Sequence, residues 1–192
     1  MVPEDLLSGS ALEIAPRLLG ATVRHWGVTL RLTEVEAYAG SDDPGSHAYR
    51  GRTPRNEVMF GPAGRLYCYF VYGMHVCANL VTGPVGEAGA VLLRAGEVVA
   101  GLELARERRP GVRDRDLARG PARLCTALGL GLTDSGAVLD LTLPPHPVGP
   151  VASGPRVGLR LAAERPWRFW LPGDPTVSSY RPAKRAPGSP TH

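Results

Sequence analysis

The chain has 192 residues, a net charge of +4 and a hydrophobic share of 43%. That length suits one domain with a substantial core, and the composition is that of a globular protein rather than a disordered or fibrous one. No apolar run approaches the roughly 20 residues of a membrane helix, and the acidic start MVPEDLLSGS lacks the features of a secretory signal, so the expectation is a soluble, cytoplasmic protein.

In chain order, residues 10–19, SALEIAPRLL, predict a helix with Ser10 as N-cap and Gly20 as its stop. Pro16 either kinks that helix or delays its start. Residues 21–37 predict two strands around a turn at Trp26–Gly27. In the second strand Val28, Leu30 and Leu32 alternate as a buried face does. Continuing that alternation puts Glu34 and Glu36 on the same face. A strand that turns two carboxylates toward its core side either ends there or opens into a pocket. Residues 41–64 are turn-rich and polar, a long loop of the kind that is often functional. Residues 65–72, 75–81 and 88–95 predict three more strands, the first two joined at Gly73 in a hairpin.

Residues 97–108 place Val98, Leu102 and Ala105 on one helical face, with Glu97 at the N-terminal end and arginines at the other. Residues 120–128 predict a short helix with Pro121 in its first turn and Gly129 just past its end. Residues 130–155 read as loop with a strand at 137–143, and 156–161 and 167–171 as late strands. The tail from Arg181 reads as disordered. No repeat or linker divides the chain. The sum is a single α+β domain over 1–192, with a mostly antiparallel curved sheet, flanking helices and a protruding β-hairpin.

The three cysteines, Cys68, Cys77 and Cys125, are unclustered and the five histidines dispersed. Neither a disulfide framework nor a metal site is expected. The positive charge is nearly all arginine, with Lys184 the only lysine. Arginine's planar fork suits phosphate, so nucleic acid is one reading of the charge. A GC-rich coding bias, which also enriches Ala, Gly and Pro, is the other.

The strand RLYCYFVYGM presents Tyr67, Tyr69 and Val71 on one face and Leu66, Cys68 and Phe70 on the other. Tyr67 reads first as half-buried core. Tyr72, beside Gly73 at the hairpin tip, is placed to protrude and to stack on bases. In AVLLRAGE, an inward Ala90 and Leu92 carry Arg94 with them. Glu36 and Arg94 thus each end an apolar strand face. They form either a structural ion pair or a carboxylate and guanidinium that orient and deprotonate water.

The segments EVEAYAGSDDPGSHAYRGRTPRNEVMF, GRLYCYFVYGMHVCANLV and AVLLRAGEV are followed in order by RGPARLCTALGL and GPRVGL. Together they resemble the alkyladenine (3-methyladenine) DNA glycosylases of the mammalian type, over about residues 10–180. The resemblance implies a monofunctional, monomeric enzyme without cofactor or metal. Such an enzyme flips a damaged purine out of double-stranded DNA and hydrolyses its N-glycosidic bond. It implies Glu36 as the base that activates water, with Arg94 and the Val157 backbone carbonyl helping to hold that water. It implies Tyr38 and His47 stacking on one face of the base and Tyr69 on the other, Asn79 screening against guanine's 2-amino group, and Tyr72 intercalating. Met74, Arg52 and Arg55 would meet the DNA backbone or minor groove, and Glu34 would be a support. His75 and the short loop near GRTPRN depart from the family pattern. Purines alkylated at N3 or N7 are cationic, which suits an aromatic sandwich, and a carboxylate steadies an oxocarbenium-like sugar.

Other classes fit less of the sequence. A non-enzymatic DNA binder leaves Glu36 and Arg94 unexplained. A nucleoside hydrolase leaves Tyr72 and the arginines unexplained. A zinc deaminase would need H-x-E with P-C-x-x-C, and this chain has neither.

Overall fold

The structure is a computed structural model and describes residues 4–71 and 73–183. Ser10 opens helix α1, Ala11–Arg17, with a capping box: the Glu13 N–H donates to its Oγ at 3.3 Å, and its own N–H donates to the Glu13 carboxylate at 2.9 Å. Pro16 neither kinks nor delays the helix. It falls in the last turn, and the helix stops one residue later. Strands β1, Thr22–His25, and β2, Val28–Tyr38, are joined by Trp26 and Gly27 at φ 40° and 80°, the two positive angles of a tight hairpin turn.

Beyond these lie β3, Leu66–Val71; β4, His75–Val81; and β5, Ala90–Ala100. Helices α2, Leu102–Arg108, and α3, Pro121–Leu128, follow. The chain closes with β6, Asp140–Thr142; β7, Ala152–Gly154; and β8, Arg168–Trp170. Among the described residues these strands make one eight-stranded antiparallel sheet, six of them in the order β3-β4-β5-β2-β1-β6 and β7 and β8 off that path. It curls into a half-barrel, as an α+β domain. β2 is its centre. β5 runs along one edge; on the other, β1 covers the first half and β8 pairs with Glu34–Glu36, with β7 beyond. α1 packs on β2, and α3 packs on β4 and β5.

The alternation of β2 does not continue as expected. Val28, Leu30 and Leu32 lie in the main core, but so do Val35 and Ala37. The ladder to β5 is irregular between Leu32 and Val35, where Glu34 opposes Ala95. β5 changes phase at the same place: Val98 packs on that core, and Leu93 and Val91 belong to it. A slip of one residue moves side chains to the other face. Glu34 and Glu36 are therefore turned away from the main core. Glu36 pairs with Leu92, and Leu92 with Asn79, on the far face.

Three other expectations change. Residues 97–100 belong to β5, not to a helix, because Glu97 pairs across the sheet with Arg31 at 2.8 Å. The helix waits for Gly101, at φ 74°, where a Cβ would stand 2.1 Å from the Gly27 carbonyl oxygen. Residues 156–161 form no strand: the Val157 N–H goes to Glu36 and the Gly158 N–H to the Arg181 carbonyl at 3.0 Å. The nearby strand is β7, in a stretch read as loop. That same bond ties Arg181 to the domain, so the predicted tail does not begin there; the tail from Lys184 lies outside the described residues. No helix among the described residues is long and apolar enough to cross a membrane.

Candidate active site

On the face of the sheet away from the main core, Ala48, Met59, Tyr67, Val81 and Ala90 form a second, small apolar cluster. Beside it lies a cavity of about 80 Å³ walled by Tyr38, His47, Tyr67, Tyr69, Asn79 and Leu159. The long loop supplies His47, held by the Asn56 side chain, which donates to the His47 and Gly51 carbonyls at 2.9 and 3.0 Å. β3 and β4 supply Tyr67, Tyr69 and Asn79, whose Nδ2 donates to the Tyr67 carbonyl at 3.2 Å.

Glu36 is fully buried and is bonded to Tyr38, one of the cavity's walls. Its Oε1 accepts the Val157 N–H at 2.7 Å and lies 3.4 Å from Arg94 Nη1. Its Oε2 accepts the Tyr38 hydroxyl at 2.9 Å. Burial first, and the Glu36 charge next, push the Tyr38 hydroxyl well above its ordinary range, so it stays a donor. Val157 thus meets Glu36 through its N–H.

Behind Glu36 lies a buried ionic layer. Glu34 Oε1 accepts from Arg94 Nε at 2.9 Å, Arg168 Nε at 2.7 Å and Ser178 Oγ at 2.9 Å, and Oε2 accepts the Ser178 N–H at 2.7 Å. Burial alone would lower the Arg94 guanidinium, but Glu36 and Glu34 outweigh it and hold it above its usual value. Arg156, next to Val157, makes a two-pronged pair with Asp43 and donates to the Ala37 carbonyl at 2.9 Å. Both side chains of that pair are fully buried. The Arg156 guanidinium also lies over the Tyr38 ring at 4.6 Å and the Trp167 ring at 5.0 Å.

The aromatic pair is shut. His47 and Tyr69 stand edge to face with centroids 4.5 Å apart, so no planar ring fits between them in this arrangement. His47 Nδ1 is 3.0 Å from the Tyr67 hydroxyl. Burial, and then the Arg55 charge, pull His47 below its ordinary 6.5. An NMR titration should place His47 below that value, and Arg55→Ala should raise it part of the way back. A midpoint at or above 6.5 in the unmodified protein would show that the ring is open to water.

Tyr38, His47, Tyr69 and Asn79 thus meet in one cavity, and Glu36 joins its Tyr38 wall to Arg94 and Val157, which line a neighbouring cleft. Met74 is 71% exposed near the hairpin tip. Arg55 reaches the Phe70 carbonyl at 3.5 Å, and Arg52 pairs with Glu57 at 2.7 Å on the surface. Tyr72 lies outside the described residues. Sequence reasoning missed Tyr67, which is a cavity wall stacked on Tyr69 at 5.5 Å and not only core. Its alternation with Tyr69 was the available signal. It also missed Asp43, Arg156, Arg168 and Ser178, whose partners are remote in sequence. A second, basic cleft of about 340 Å³ shares Arg94 and Val157 with this site and adds Arg119, Arg123 and Arg181. Among the described residues no cluster of three His, Cys, Asp or Glu is placed to hold a metal ion.

Comparison with known proteins matches residues 5–175 to the family model "Methylpurine-DNA glycosylase (MPG)". Relatives carrying the name "Putative 3-methyladenine DNA glycosylase" include one from Nocardia farcinica, 58% identical over 92% of this chain and 90% of its own length. A second, from Leifsonia xyli subsp. xyli, is 56% identical over 96% and 93%. A third, from Frankia casuarinae, is 53% identical over 94% and 93%. A match of this extent over a carboxylate set beside a tyrosine-walled cavity leaves one conclusion: the chain belongs to the methylpurine-DNA glycosylase family and is a DNA glycosylase, a hydrolase of N-glycosyl bonds.

Proposed function

We propose that this glycosylase flips alkylated or deaminated purines out of duplex DNA and releases them by water attack, starting base excision repair. The lesions are of the 3-methyladenine, 7-methylguanine, hypoxanthine and ethenoadenine class. The observation that carries the reading is Glu36, a buried carboxylate bonded to the Tyr38 wall of an aromatic cavity and oriented by Tyr38, the Val157 N–H and Arg94.

In this reading His47 swings away from Tyr69, and the purine stacks between Tyr38 with His47 on one side and Tyr69 on the other. Tyr72, next to Gly73 in sequence, fills the gap left in the duplex. Water binds the remaining lone pairs of Glu36, gives up its proton there and attacks the anomeric carbon as the base departs. Arg94 offsets the carboxylate's charge. Water rather than an amine is the nucleophile, so the product is an intact abasic site and no borohydride-trappable adduct forms. Met74, Arg52 and Arg55 face the backbone and minor groove, and a monomer suffices.

Release of free hypoxanthine and 3-methyladenine from duplex DNA, compared with the free nucleosides, tests the proposal. Release from duplex alone is expected. Equal release from nucleosides would make the enzyme a nucleoside hydrolase instead. Asn79 tests the pocket's selectivity. Asn79 is 4% exposed and its amide is tied to the Tyr67 carbonyl, which supports reading it as a fixed screen against a 2-amino group. Asn79→Ser should raise guanine release relative to hypoxanthine by about tenfold, roughly the effect of one fitted polar or steric contact. A ratio unchanged in competition assays would remove Asn79 from that role.

A further inference from the structure

Glu36 is a base with an arginine beside it, and this arrangement carries a hazard. A guanidinium facing a carboxylate tends to close a two-pronged clamp that takes both oxygens. A clamped Glu36 would have no lone pair well placed for water. Arg94 does not close that clamp. Only its Nη1 approaches Glu36, at the long distance of 3.4 Å. Its Nε is committed to Glu34 at 2.9 Å and its Nη2 points to Ser178 Oγ at 3.4 Å.

We propose that Glu34 is a positioning residue for the hydrolysis: it diverts Arg94 sideways, so that Arg94 offsets the charge of Glu36 without occupying its second oxygen. The inference rests on Glu36 acting as the base. Glu34 is itself held in place. Arg168 Nε, Ser178 Oγ and the Ser178 N–H also donate to it. Arg168 is in turn packed over the Trp170 ring at 4.6 Å and the Tyr180 ring at 5.9 Å. The layer balances: Glu34 and Glu36 face Arg94 and Arg168, all buried. Removing the charge of Glu34 leaves the two arginines with one carboxylate between them, and Arg94 then rotates onto Glu36.

A double-mutant cycle separates this role from a merely structural one. Glu34→Gln keeps the side chain's shape and should lower the single-turnover excision rate about 10- to 100-fold, less than the roughly 10²- to 10⁴-fold of losing the base itself. Lesion-duplex affinity should stay within about twofold. In a Glu36→Gln background the same change should cost nothing further, because Glu34 acts only through Arg94 on Glu36. An equal loss in both backgrounds, or no loss in either, overturns the proposal. If Glu34→Gln does not fold, Ser178→Ala decides. It removes the Oγ contacts to Glu34 and Arg94 but keeps the backbone donor, and should slow excision about threefold, again only with Glu36 present. An unchanged rate in Ser178→Ala would then overturn the proposal. If instead Glu36→Gln itself excises at the full rate, it is the general-base reading that fails.

Discussion

Glu36→Gln should bind lesion-containing duplex about as well as the unmodified protein and yet lose excision by two to four orders of magnitude, the usual share of a positioned base. The glutamine carbonyl can still accept from the Val157 N–H, and its amide NH2 can donate to the Tyr38 hydroxyl oxygen once that hydroxyl turns, so the cavity keeps its shape. What it loses is the capacity to take a proton and to steady positive charge on the sugar. Single-turnover kinetics on hypoxanthine duplex, with affinity measured in parallel, gives the answer. A rate within tenfold of the unmodified enzyme would take Glu36 out of the mechanism.

Asp43→Ala should be the most destabilising of the site substitutions. It strands the Arg156 guanidinium, fully buried, with the Ala37 carbonyl as its remaining hydrogen-bond acceptor. Breaking a buried pair from one side costs about 3–5 kcal/mol, or roughly 10 °C of melting temperature for a domain of this size. Activity should fall as well, at temperatures where the protein is still folded, because Arg156 fixes the backbone that presents the Val157 N–H to Glu36. Arg156→Lys should not rescue the pair, since an ammonium cannot make the two-pronged contact or the flat stack on Tyr38 and Trp167. Thermal melts of the three proteins check this. A loss below 1 kcal/mol for Asp43→Ala would mean that water reaches Arg156.

Local chemistry made much of this fold readable. The capping box at Ser10, the positive-φ turn at Trp26–Gly27 and the Pro121 and Gly129 boundaries of α3 are each written within a few residues. The phase change in β2 is not. A bulge belongs to two strands at once, and Thr33 looks no different from a regular strand residue until β5 is laid beside it. The length of β5 was hidden for the same reason, since EVVAGL suits helix or strand until Glu97 finds Arg31, 66 residues away. In the site, Glu36 and Arg94 were visible as charges in apolar strands. Asp43 and Arg156 were not, because they are separated by 113 residues and neither interrupts a pattern. Tyr67 was weighed as core because a tyrosine in a strand satisfies both descriptions.

The resting contact between His47 and Tyr69 bears on timing. A wall that is shut when the DNA arrives makes capture a race. A purine that leaves the stack only briefly returns before the imidazole has moved. A weakly paired, damaged purine stays out long enough to be caught. On the proposed reading, discrimination begins before any atom of the base touches Asn79, in the lifetime of the extrahelical state. The cost of this arrangement is speed on every substrate. His47→Ala would admit bases sooner and sort them less well, which rapid-mixing measurements on intact and hypoxanthine-bearing duplexes would register as a faster capture phase with a narrower gap between the two.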